Sequence, residues 1–158
     1  HIHMTFPSLK NIIATCATIL LTTACGGNKA PKTATDILEQ ARQEYADKQY
    51  DKALHSIDSL RKTFPQDIEA RKAALKLYQD ISLTQAQEDL ANTDQRLQQA
   101  KAEYDNMKAK ADQDRDALRA TSEQLQAVTL KKMELDSLQV RFDVQCAKIK
   151  YIHKKQKE

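Results

Sequence analysis

Glycine and proline are almost missing from this chain. Its 158 residues hold two glycines and three prolines, where average usage gives roughly 11 and 8. Both glycines and two of the prolines fall within the first 31 residues, and beyond Pro65 neither type occurs again. This excludes a glycine-rich phosphate loop from the main body. It also removes the usual turn residues and helix breakers. Tryptophan is absent and aromatics are 5%, so a thin core of helix seams is expected. The net charge of +3 lacks the basic excess of a nucleic-acid binder. No HExxH, CxxC or histidine cluster offers a metal site, and no cofactor is expected. The acidic residues sit as helix starts and coiled-coil flanks without a paired-carboxylate pattern. His55 and His153 have no nucleophile at motif spacing. The sequence therefore reads as a non-enzymatic protein. What remains is rich in Ala, Leu, Lys, Gln, Glu and Asp, a composition of long helices.

The one oily run lies near the start. Lys10 precedes "NIIATCATILLTTAC", and residues 11–24 have the length of a signal-peptide core, too short for a membrane span. Met4 reads as the natural initiator, and His1 and His3 carry no metal hypothesis. The run ends in small residues before Cys25. This resembles a bacterial lipobox, in which the signal peptide is cut before a cysteine whose thiol takes a diacylglycerol. The commonest leucine three residues before that cysteine is replaced by Thr22, with Leu21 one earlier. An ordinary secretory signal cut near Ala24 is the alternative. "GGNKAPKTAT" reads as a flexible tether. Residues 1–24 are thus expected as signal peptide and 25–33 as a lipid-attached tether. Several acyl chains on Cys25 give durable membrane attachment. If lipobox rules carry over, Gly26 stands where a retaining Asp would hold the protein in the inner membrane. That resemblance implies the outer membrane, facing the periplasm. Cys16 leaves with the signal peptide. Cys146 then remains alone in an oxidising compartment, either as a buried inert thiol or in an intermolecular disulfide.

Residues 34–82 read as a helical base. Thr35 or Asp36 can cap a first helix bearing Ile37, Leu38, Ala41 and Tyr45 on one face. Tyr50, Ala53, Leu54, Ile57 and Leu60 stripe a second, which Phe64-Pro65 ends. The positions of Tyr50, Ala53, Ile57, Leu60 and Pro65 resemble the second helix and terminal proline of a tetratricopeptide repeat. Lys48 replaces that motif's usual turn glycine. One full repeat is visible, and a third helix from near Gln66 is expected to pack on the pair.

A heptad pattern occupies residues 83–153. Leu83, Leu90, Leu97, Tyr104, Ala111, Leu118 and Leu125 share one position, with Ala86, Thr93, Ala100, Met107, Asp114, Thr121 and Val128 three residues later. The phase then changes to Val128, Leu135, Phe142 and Ile149, with Leu138 and Ile152. "TSEQ" at 121–124 has capping-box form, with Thr121 as N-cap and Gln124 three residues on. A cap is wasted inside a continuous helix, so a turn is expected near 120–122. Folding there pairs residues whose numbers sum to about 242. That sets Ala100 against Phe142, Met107 against Leu135 and Leu90 against Ile152, and brings Asp114 near Lys131 and Lys132. The alternative is one unbroken helix in a parallel dimer. Residues 138–146 alternate like a strand, but no strand partner exists in the sequence, and helix is the reading. As helix they show a second stripe of Val140, Val144 and Tyr151, packed on the base or forming a partner-docking face. The basic tail 154–158 suits a helix C-terminus.

The fold expected is all-α, a tetratricopeptide-like pair packed on a long antiparallel hairpin. "YDKALHSIDSLRKTFP" and "CAKIKYIHKKQKE" resemble small Bacteroidota lipoproteins with these two parts. That resemblance implies a cell-envelope location and partners among other envelope proteins. The function expected is a membrane-anchored scaffold or adaptor. The alternative is a self-associating spacer, a homodimer whose basic tail links outer membrane to cell wall.

Overall fold

The computed structural model describes residues 30–158, and the helices all lie in the unit Lys32–Glu158. The expected signal peptide, Cys25 and most of the tether lie outside the described residues. The described residues form four helices and no strand: α1 (Ala34–Ala46), α2 (Tyr50–Thr63), α3 (Ile68–Asp116) and α4 (Ser122–Gln156). The protein is all-α, and residues 138–146 are helix.

α1, α3 and α4 start on side-chain caps. α1 begins earlier than the Thr35 or Asp36 reading, with Thr33 as its cap. Thr33 Oγ1 accepts from Asp36 N at 3.1 Å while Asp36 Oδ2 accepts from Thr33 N at 3.0 Å. Two otherwise orphaned donors are satisfied reciprocally, and the carboxyl of Asp36 is held below its usual range by the Thr33 backbone. Asp67 caps α3 through Ala70 N, and Thr121 caps α4 through Gln124 N at 3.1 Å. α2 is the exception, because Gln49 makes no side-chain cap bond.

The helix ends explain how turns form without glycine. After α1, Gln49 N bonds Glu44 O and Lys48 N bonds Tyr45 O. After α3, Arg119 N bonds Asp114 O and Leu118 N bonds Arg115 O. Both patterns are Schellman motifs, which turn on one left-handed residue, usually glycine. Here Lys48 (φ 58°) and Leu118 (φ 55°) take that conformation.

The base is three helices around one core. Ile37, Leu38 and Ala41 of α1, Ala53, Ile57 and Leu60 of α2, and Ala74, Leu77 and Ile81 of α3 are buried together. Ala41, Ala53 and Ala74 are each at most 1% exposed, and these small residues let the backbones approach closely. Of the tetratricopeptide-like positions, Ala53, Ile57 and Leu60 are in this core, Tyr50 rims it and Pro65 is exposed. Tyr45 hydroxyl meets Thr84 Oγ1 at 2.7 Å, while Arg42 lies beside Ala73, Lys76 and Asp80. α1 therefore runs parallel to α3, and both begin at the same end of the base.

α3 does not stop at the edge of that base. It continues unbroken for 49 residues, about 73 Å at 1.5 Å per residue. The expected boundary between residues 82 and 83 falls inside this helix. α4 returns along its outer part. Asp114 pairs with Gln124, Glu103 with Lys131, Asp89 with Arg141 and Asp80 with Gln156. These paired numbers add to between 230 and 238, below the expected 242, because α3 ends at Asp116 and not near Ala120. The end of α4 lies beside Asp80, not level with Leu90. Leu118, expected in the seam, is 94% exposed.

Candidate interaction surface

α4 carries two apolar faces. The inner one packs on α3, where Leu97, Ala100 and Leu138 are buried and Leu135 and Phe142 close over them. Thr93 and Ile152 are buried in the same seam, with Gln145 and Ile149 half-buried. Gln145 Oε1 is the buried side-chain polar atom left without a partner among the described residues.

Ion pairs fix the register of this seam. Arg141 reaches both oxygens of Asp89, with Nε to Oδ2 at 3.0 Å. Arg141, and beside it Gln145, hold the Asp89 carboxyl below the usual range. Lys131, half-buried, bridges Glu103 at 2.7 Å and Glu134 at 2.9 Å. Glu103, and then Glu134, raise its pKa, and Lys131 in turn lowers that of Glu103. At the turn, Asp114 was expected near Lys131 and Lys132. It is buried against other partners, accepting from Gln124 at 2.8 Å and Lys110 at 3.1 Å. Gln124, then Lys110, lower its pKa. Its backbone oxygen also takes Arg119 N and Ala120 N. Thr121 thus caps α4 where the sequence put it, but the reciprocal half of the expected box is not made, because the Gln124 side chain ties the end of α3 to the start of α4 instead.

The outer face of α4 is bare. Leu130, Met133, Val140, Val144 and Tyr151 are each 55–62% exposed. With Ser137 and Ala147, also exposed, they recur at alternating intervals of three and four residues. That is a heptad of its own, offset two residues from the seam, hence about 200° around the helix. Val140, Val144 and Tyr151 do not pack on the base, which corrects that half of the sequence expectation. Leu130 and Met133 belong to the same stripe and were missed. The missed signal was the two-residue offset, readable from Val128/Leu130 and Lys131/Met133.

A smaller apolar area lies at the start of α3. Ile68 and Leu75 line a shallow concavity with Arg61, Arg71 and Lys72, and Arg61 stacks 5.4 Å from the Tyr78 ring. Cys146 is free and half-buried beside the inner seam. His55 and His153 are exposed. Among the described residues no group of three or more His, Cys, Asp or Glu is placed to hold a metal, and no helix is long and apolar enough to cross a membrane. No protein-family profile, curated protein or solved structure shows significant similarity to the chain.

Proposed function

We propose that this protein is an envelope lipoprotein, held by lipid on Cys25 at the periplasmic face of the outer membrane, that acts as a non-enzymatic protein-binding scaffold. The observation that carries this reading is the outer stripe of α4. Monomeric proteins rarely leave an ordered apolar patch of this extent bare unless something binds it. The base supports α3, α3 supports α4, and α4 presents the stripe. The lipobox-like stretch ending at Cys25 carries the membrane part of the reading.

The spacer alternative asks the basic tail to reach a cell wall away from the anchor. The placement of Gln156 beside Asp80 weighs against this. α4 ends at the end of the hairpin nearest the base, where Lys155 and Glu158 share a groove with Lys72 and Lys76.

The test is in-cell crosslinking of the native protein, followed by purification from solubilised envelopes, with Cys25→Ala as control. A stoichiometric envelope partner whose recovery depends on Cys25 is the expected result. A Cys25→Ala protein that still partitions with membranes and keeps its partner overturns the anchored scaffold.

A further inference from the structure

The outer stripe of α4 runs from Leu130 to Tyr151, three heptads of exposed helix, about 32 Å long. That is the span over which a heptad pattern specifies a helical partner. Resting on the docking-face reading above, we propose that its occupant is the same stripe of a second copy of this chain, paired antiparallel about a two-fold axis level with Phe142.

Charge supplies the direction. Residues 122–139 carry three acidic and two basic side chains, and residues 140–158 carry two acidic and six basic. A parallel pair would lay the two strongly basic halves side by side. An antiparallel pair lays each against the weakly acidic half of the other. The flanks of the stripe repeat this in detail. One flank holds Glu134 and Lys148, the other Asp136 and Lys150. In the antiparallel register Glu134 meets Lys148 of the second copy, and Asp136 meets Lys150, each contact occurring twice by symmetry. Lys148 and Lys150 take part in no ion pair among the described residues, while Glu134 and Asp136 hold the exposed i,i+3 and i,i+4 pairs with Lys131 and Lys132 that they would share with the second copy.

Shape agrees with the same register. Val140 faces Val144 of the other copy at the centre. Ser137 then faces Ala147, small against small, and Met133 faces Tyr151 at the rim. Antiparallel seams set each residue of one heptad position against the other position of the partner helix; here that rule matches the layers from Met133 to Tyr151, and Leu130 falls beyond them opposite Lys154. On the axis, Arg141 and Asp143 meet their own copies. Arg141 is already neutralised by Asp89, which leaves Asp143 as the repulsive contact. The two bases then lie at opposite ends, with the α4 C-termini offset by about 42 Å.

The experiment is sedimentation velocity of the full chain in density-matched detergent, with helicity checked by circular dichroism. Wild type is expected to be a dimer. Lys148→Glu/Lys150→Glu and Glu134→Lys/Asp136→Lys each weaken it, roughly tenfold or more. An equimolar mixture of these two variants pairs again. A parallel seam would not recover on mixing, since it sets Asp136 against Arg141 and Lys148 against Asp143. Val140→Asp/Val144→Asp is monomeric with unchanged helicity. A dimer that survives Val140→Asp/Val144→Asp, or a mixture that fails to pair, overturns the proposal. So does a monomeric wild type, and there the two readings separate. If Val140→Asp/Val144→Asp then loses an in-cell crosslink to a different envelope protein, self-pairing fails and the docking face stands. If no crosslink changes, both fail.

Discussion

Arg141 on α4 grips Asp89 on α3 through two guanidinium N–H groups, joining residues 52 apart in sequence across the hairpin. A forked pair of this kind fixes position as well as charge. It marks where the returning helix sits, as Lys131 with Glu103 does nearer the turn. The Asp89 and Glu103 carboxyls are both held below their usual range. A carboxyl whose folded pKa is depressed contributes stability that is full above its unfolded value and lost as pH falls through the folded one. The hairpin is therefore expected to loosen in acid, below the ordinary carboxylate range. Asp89→Asn and Arg141→Met should each flatten this acid limb in a far-ultraviolet dichroism titration, since each removes the depressed Asp89 carboxyl from which that part of the limb arises. An acid limb identical in both variants and wild type would refute the role of this pair.

Lys48 and Leu118 hold left-handed conformations that glycine adopts without a side-chain penalty. Lys48→Gly and Leu118→Gly are each expected to stabilise the fold by about 0.5–1 kcal/mol, less the added freedom of the unfolded chain. Urea midpoints would measure this. Leu118→Gly also removes a fully bare leucine from the turn.

Ala53 has no exposed surface at the meeting of α1, α2 and α3. Ala53→Leu should cost about 1–3 kcal/mol through overpacking, and Ile57→Ala about 2–5 kcal/mol through the cavity it leaves. The same enlargement at Ala147, on the bare face of α4, should leave monomer stability within about 0.5 kcal/mol. Equal losses at Ala53 and Ala147 in denaturant melts would contradict the assignment of faces.

In the antiparallel pair, Asp143 is set against its own copy. Asp143→Asn is expected to tighten the dimer by about twofold, the size of one like-charge contact removed. A dilution series followed by sedimentation reads this directly, and weaker association would count against that register.

Much of the architecture was legible because the sequence says so redundantly. The lack of glycine and proline after Pro65, together with long heptads, points to helix at nearly every position through 153. Thr121 and Gln124 announce the start of α4 in standard form. The start of α1 was misplaced because its box closes on Asp36, where Glu or Gln is the familiar signal. The end of α3 was misplaced for a related reason. The residue that turns the chain is leucine, and an apolar residue on a heptad position reads as seam, not as turn. That single error shifted every cross-hairpin pair by several residues and hid the Asp89–Arg141 contact. Val140, Val144 and Tyr151 were visible as a second stripe. Whether the base covers them depended on where α3 and α4 meet, which only the register settles.

α3 belongs to the base for its first four turns and to the hairpin for the rest, with no break between. A load applied at the tip near Leu118 has no hinge in α3 at which to dissipate. It acts on the alanine-lined contacts of Ala41, Ala53 and Ala74 through a stiff lever, so a pull or twist felt at one end of the molecule is felt as strain at the other.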